Sequence, residues 1–233
     1  MCGRYVATTP AAVLAAYFDV DEVIAEPEGP RFNVAPTDPV PAVAVSGDGR
    51  RRLGCLRWGL VPSWSRRDDA ARHINARSET ALEKPAFRTA FARRRCILPA
   101  DGFYEWQRGP DGSRQAWFIH RLDGAPMAFA GLWDAWRRPD GEVVRGGAVL
   151  TTVANDLMAP IHDRMPVLLE AGDWQEWLEP GNDDLVGLSS LMVPAEEGVL
   201  GRYPVRRLVN NVRNEGPELL EPDPGHPEGV GHR

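Results

Sequence analysis

No apolar run in this 233-residue sequence approaches the ~18 residues that a membrane-spanning helix needs. The first residues, Met1-Cys2-Gly3-Arg4-Tyr5, lack the apolar core of a secretory signal, so a cytoplasmic protein is expected. Cysteine is scarce. Cys2, Cys55 and Cys96 are far apart, which excludes a disulfide scaffold and a CxxC zinc site and points to a reducing compartment. No His-x-x-x-His pair or His/Cys cluster is present, so no metal site is expected. There is no Gly-x-Ser-x-Gly elbow of a serine hydrolase, no P-loop, no dinucleotide-binding glycine pattern and no internal repeat. No cofactor is therefore expected.

Turn formers are abundant, with 23 glycines and 21 prolines. They favour many short elements over a helical bundle. Residues 9–19 read as a helix with Thr9 as N-cap and Pro10 at N1. The stretch 25–39 reads as irregular. Residues 40–45 alternate as a strand, and Leu53–Leu60 as its hairpin partner across Ser46-Gly47-Asp48-Gly49. Two short helical stretches follow, Ser78–Lys84 with Ser78 as cap and Pro85–Arg93. Strands are expected at Cys96–Pro99, Gly102–Gln107, Ala116–His120, Met127–Trp133 and Ala148–Val153, with a short helix at Asp173–Leu178. The pattern is α+β and mainly antiparallel. Length favours one domain, over residues 1–221. The Pro-, Gly- and acid-rich residues 222–233 read as a disordered tail.

The net charge of −6 is unevenly spread. Residues 50–95 hold thirteen Lys/Arg against four Asp/Glu, a local +9, and the other 187 residues carry −15. Twelve of these cations are Arg, whose planar fork suits phosphate. Such a segment offers a local anion-binding face; the plainer alternative is a solvated surface with scattered ion pairs.

Within this frame a few residues stand out. Loss of Met1 would give Cys2 a free α-amine beside its thiol, with reference pKa values of roughly 7.7–8.0 and 8.5. Such an aminothiol condenses with an aldehyde to an imine and closes a five-membered thiazolidine, the second step being intramolecular. The alternative is an incidental second residue. Glu105 lies in Asp101-Gly102-Phe103-Tyr104-Glu105-Trp106, where aromatic neighbours would desolvate a carboxylate and suit it to acid–base work; otherwise it is a solvent-facing strand residue. His162, in Pro160-Ile161-His162-Asp163-Arg164-Met165-Pro166, falls in a polar turn, a place for function more than for core. Asn75 and Arg77 would share one face of an extended segment. Trp58 and Trp64 flank a Gly/Pro loop beside the arginines, an arrangement suited to stacking on single-stranded bases; Trp58 is the better candidate for core. Cys55 and Cys96 read as packing residues.

These motifs together resemble the SOS-response-associated peptidase (SRAP) family, the abasic-site processing proteins. The resemblance is carried by Met1–Tyr5, Phe32-Asn33-Val34-Ala35-Pro36-Thr37, Arg57–Trp64, Ile74–Thr80, Arg95–Trp106, Gly131-Leu132-Trp133, Pro160–Pro166 and Val209-Asn210-Asn211, in family order over roughly residues 2–221. The charged loop Ser65–Arg72 and the segment after Glu221 depart from the pattern. The resemblance implies curved antiparallel sheets forming a pseudo-barrel with short flanking helices. It implies removal of Met1 and a covalent thiazolidine link between Cys2 and the ring-opened aldehyde of an abasic site in single-stranded DNA. Cys2, Asn75, Glu105 and His162 would be catalytic, and Arg4, Trp64, Arg77 and Arg164 would contact DNA. A monomer with no metal or cofactor is expected. The family name's "peptidase" would refer to self-processing of Met1, and a lyase-type strand cleavage could accompany it. Two rivals remain. An N-terminal-nucleophile amidohydrolase would leave the arginines without a role. A non-covalent single-strand-binding module would leave Glu105 and His162 without one.

Overall fold

The computed structural model describes residues 2–226. The chain opens with β1 (Tyr5–Ala7), α1 (Ala11–Tyr17), β2 (Glu22–Val23) and β3 (Arg31–Val34). A long hairpin follows, β4 (Pro39–Val45) and β5 (Arg51–Trp58), paired from Val45↔Arg51 to Pro39↔Arg57. The short β6 (Asn75–Arg77) leads to α2 (Arg88–Arg93) and then to the central strands β7 (Arg95–Ala100), β8 (Gly102–Arg108), β9 (Arg114–Arg121), β10 (Met127–Arg137) and β11 (Val143–Val153). Last come β12 (Arg164–Pro166), α3 (Trp174–Leu178), α4 (Leu185–Ser190) and β13 (Leu200–Val205).

Two sheets result. One is five-stranded in the order β13-β9-β8-β1-β3. In the other, β5, β4, β7, β10 and β11 are neighbours, and a further pairing of β11 with β5 closes these five strands into a barrel. The closure is parallel, at Gly146↔Arg57 and Gly147↔Trp58. Glycine is required there. A Cβ on Gly146 would stand 2.3 Å from the Gly59 carbonyl oxygen, and Gly59 itself holds φ +138° with its N–H on the Gly147 carbonyl at 2.7 Å. Backbone this close excludes any side chain. Strands β2 and β6 also pair in parallel, with β5 and β11 respectively, so the mainly antiparallel expectation holds with three exceptions.

The core is divided by the barrel wall. On one face Val43, Leu53, Ile97, Ala130, Leu132 and Leu150 meet the helices through Phe18, Phe91, Trp174 and Trp177. On the other, Leu98, Phe129 and Val149 meet the second sheet through Tyr5, Phe103 and Ile119, and Cys2 belongs to this cluster. Tyr5 is wedged between Trp58 and Phe129, with ring centroids at 4.9 and 5.9 Å. Trp58 is fully buried, as read from the sequence, and so is Cys96, whereas Cys55 is only half-buried.

Several expectations are corrected. Thr9 does not cap α1; Pro10 holds the cap position without a side-chain bond, because Asp101 has captured Thr9 through both its N–H and its hydroxyl. Ser78 is buried inside a single 3-10 turn, Ser78–Thr80, and does not cap a helix. The irregular stretch 25–39 contains β3. Part of the expected tail is placed: the Asp223 N–H donates to the Pro204 carbonyl at 2.8 Å, and His226 packs edge-on against Trp117. Residues 227–233 of that tail lie outside the described residues, as does Met1. Among the described residues no helix is long and apolar enough to cross a membrane.

Candidate active site

Strand β1 carries the N-terminus along β8. Tyr5 pairs with Phe103, and the Tyr104 N–H donates to the Arg4 carbonyl at 2.9 Å, so the chain before Arg4 runs beside Glu105. Cys2 is fully buried there. Burial, and then the Glu105 charge, push its thiol well above the ordinary range. Glu105 is 4% exposed, among Tyr104, Phe103 and its β9 partner Trp117. From the barrel side, β6 lies parallel to β11 with Asn75 opposite Val149. The Asn75 Nδ2 donates to the Cys2 carbonyl at 2.7 Å. Three residues from three distant segments thus converge: Cys2 is held by Asn75 and feels the Glu105 carboxylate.

His162 arrives on the turn between β11 and β12. In the tautomer with its proton on Nε2, its Nδ1 accepts the Arg164 N–H at 3.0 Å. The Asp163 carboxylate lies 2.8 Å from the same Nδ1, which donates to it in the other tautomer. The turn is fastened from outside by residues the sequence did not single out. Gln107, on the same face of β8 as Glu105, donates to the Pro160 carbonyl at 3.0 Å and accepts from Trp117 Nε1 at 3.1 Å. Arg202 stacks over Trp117 and donates to the Leu157 carbonyl. Asn155 donates to the Ala195 carbonyl and accepts the Met158 N–H.

The four expected DNA contacts separate into different environments. Trp64 is 64% exposed on a turn pinned by the Ser63 N–H on Asp134 and by Trp136 Nε1 on the Ser65 carbonyl. Arg77 is exposed at the end of β6. Arg4 is half-buried. It donates to Asn33 Oδ1 at 2.7 Å and the Val209 carbonyl at 3.0 Å, and sits 5.6 Å over the Trp106 ring. Arg164 is buried and bonded to Glu79 through its two terminal guanidinium nitrogens and to the Thr151 carbonyl. That places it among the parts that hold the site together. The basic segment is divided in the same way. Arg95 is buried on carbonyls near the end of α3, Arg57 is forked on Asp68, and Arg52 is paired with Glu22 and Asp48, while Arg66, Arg67, Arg72, Arg77, Arg88 and Arg93 are exposed. The +9 of the sequence is therefore not one phosphate-binding face. Asn33, which the motif pattern contained but no role was given, is fully buried and joins Arg4 to the carbonyls of Asn211 and Asn214. Among the described residues no group of His, Cys, Asp and Glu is placed to hold a metal ion.

A closed barrel with an open sheet across it, and a second-residue cysteine at their junction, define a small α+β protein with its candidate nucleophile at the N-terminus. The chain belongs to the SOS response associated peptidase (SRAP) family, whose sequence profile matches residues 1–212. It is 40% identical over 223 residues to the abasic site processing protein YoqW of Bacillus subtilis, covering 95% of this chain and 99% of that one. It is 34% identical over 233 residues to YedK of Escherichia coli, also an abasic site processing protein, with 95% and 100% covered. A crystal structure from Bordetella bronchiseptica, 28% identical, superposes with a TM-score of 0.75 over 88% of this chain and 100% of that one. A second, from Bacteroides thetaiotaomicron, does so with 0.83 over 95% and 100% at 24% identity, a likeness of fold.

Proposed function

We propose that this protein processes abasic sites in single-stranded DNA by forming a thiazolidine between Cys2 and the ring-opened deoxyribose aldehyde. The observation that carries the reading is the junction itself: a second-residue cysteine whose carbonyl is fixed by Asn75 and whose thiol lies within the field of the Glu105 carboxylate. The names of the relatives supply the lesion.

The chemistry needs an amine. Hydrolysis of the Met1–Cys2 peptide bond provides one on Cys2, and the chain's single lysine, Lys84, is the one other. The Cys2 amine adds to the aldehyde carbon, and the carbinolamine loses water to give the imine. The thiol sulfur then adds to the same carbon, and its proton passes to the nitrogen. The net change is aminothiol plus aldehyde to thiazolidine plus water. Glu105 is suited to deliver the proton to the departing hydroxyl and to receive the thiol's proton. In the tautomer with its proton on Nε2, His162 is suited to donate to the sugar oxygen and to assist reversal. Asn75 holds Cys2 in register. Exposed Arg77 is suited to phosphate, and exposed Trp64 to a base.

The test is a denaturing gel of the protein with an abasic single-stranded oligonucleotide. A heat-stable one-to-one adduct is expected, lost in Cys2→Ala and unchanged in Lys84→Arg. An adduct that survives Cys2→Ala would move the chemistry elsewhere, and its absence from the wild type would favour non-covalent binding.

A further inference from the structure

A cavity of about 500 Å³ lies among residues of β4, β5, β10 and β11, and none of its lining residues belongs to β6. Its apolar wall comes from one face of the barrel, with Ala42 and Ala44 of β4, Gly54 and Leu56 of β5, and the half-buried Trp133 of β10. Its mouth is cationic on several sides: Arg52 of β5, Arg93 and Arg94 around the end of α2, and Arg145 of β11. Two of these charges are already matched, Arg52 by Glu22 and Asp48 and Arg94 by Asp134 at 3.0 Å. Arg93 and Arg145 are exposed, and neither forms an ion pair with any other described residue.

We propose that this groove binds an acidic peptide segment of a partner protein, one that alternates bulky apolar side chains with carboxylates. Charge complementarity carries the choice. The two unmatched cations stand on separate elements, a helix end and a strand, so the ligand's negative charges must be distributed around its apolar body. A fatty acid carries a single carboxylate and cannot meet both. A nucleic acid strand distributes its charge, but its bases need hydrogen-bonding partners, and Ser46 supplies the lining's one neutral hydroxyl or amide side chain. Aliphatic walls, an indole face and arginine fit leucine or phenylalanine side chains flanked by Asp or Glu, with the arginine forks taking the carboxylates in bidentate fashion. The inference does not depend on the chemistry at Cys2.

The experiment uses the full chain and a fluorescein-labelled peptide alternating Asp or Glu with Leu or Phe, read by anisotropy. Saturable binding is expected, weakened about tenfold, or about 1.4 kcal/mol, both by the double variant Arg93→Glu/Arg145→Glu and by Ala44→Phe, which fills the groove. A peptide of equal charge with the apolar residues changed to Ser should not bind. The variants should keep the wild-type melting temperature. Absence of saturable binding, or binding indifferent to both variants, would overturn the proposal. So would displacement of the peptide by an oligothymidylate whose own binding falls equally in the double variant, which would make the groove part of a nucleic-acid path.

Discussion

Gln107 offers the sharpest test of how the His162 turn is held. Gln107→Leu keeps the side-chain volume but deletes the donor to Pro160 and the acceptor for Trp117 Nε1. The Pro160 bond lies at the surface, where water can replace it, so its loss weighs little. Trp117 is 2% exposed, and stranding its N–H costs about 1–3 kcal/mol. The sum is about 2 kcal/mol, which for a chain of this length lowers Tm by about 4–8 °C. The functional consequence follows from position. Pro160 precedes His162 by two residues, so a loosened turn misplaces the imidazole and should slow single-turnover crosslinking about tenfold. The diagnostic is a double-mutant cycle. If Gln107 acts through His162, Gln107→Leu should add little in a His162→Ala background. A purely structural role would slow both backgrounds equally. Wild-type melting, or full additivity with His162→Ala, would refute the clamp.

Other consequences can be measured separately. The Arg164 guanidinium holds the Glu79 carboxyl below its ordinary range through hydrogen bonds. A depressed carboxyl contributes stability above its unfolded value of about 4.3 and loses it as pH falls through the native value. Glu79→Gln should therefore cost about 1 kcal/mol at pH 7, discounted for Glu79's half exposure, and its deficit relative to wild type should shrink in melts below about pH 4; a pH-independent deficit would contradict this. Arg77→Ala should flatten the salt dependence of single-strand affinity by about one phosphate contact, a slope change near 0.7, whereas Trp64→Ala should weaken binding by about 1–3 kcal/mol at unchanged slope. Salt titrations by anisotropy separate the two. Glu105→Gln should slow adduct formation by on the order of 100-fold, while His162→Ala should slow release at least as much as formation. Time courses in both directions, on protein lacking Met1, check this; a wild-type forward rate in Glu105→Gln would confine Glu105 to processing of Met1.

The parts of the fold that the sequence made legible are those governed by local pattern. The β4–β5 hairpin declares itself by alternation around a Gly-rich turn, and β7 to β11 by apolar runs between turn formers. What stayed hidden was decided at long range. Thr9 looks like a cap until Asp101, 92 residues away, takes its hydroxyl. Strand β13 carries Gly201 and Pro204 and exists because β9 offers it an edge from Leu200↔Arg121 to Val205↔Ala116. The site divides in the same way. Asn75 was readable as one face of a strand, but its grip on the Cys2 carbonyl depends on β6 entering beside β11. Arg164 read as a phosphate ligand because its partner Glu79 lies 85 residues back in sequence. Gln107 gave one usable signal, its i+2 spacing from Glu105 on a strand, which places both on one face. Asn33 gave none beyond its motif.

The central claim is that Cys2, freed of Met1, bonds to the lesion as an aminothiol. Intact-mass spectrometry of the protein incubated with an abasic single-stranded oligonucleotide, followed by nuclease trimming and fragment mapping, tests it most directly. The account predicts protein lacking Met1, joined to the oligonucleotide with loss of one water, and the added mass confined to Cys2 without any reducing agent. In Cys2→Ala it predicts a species trapped by borohydride alone. An adduct that retains Met1, or one mapped to Lys84, would contradict it.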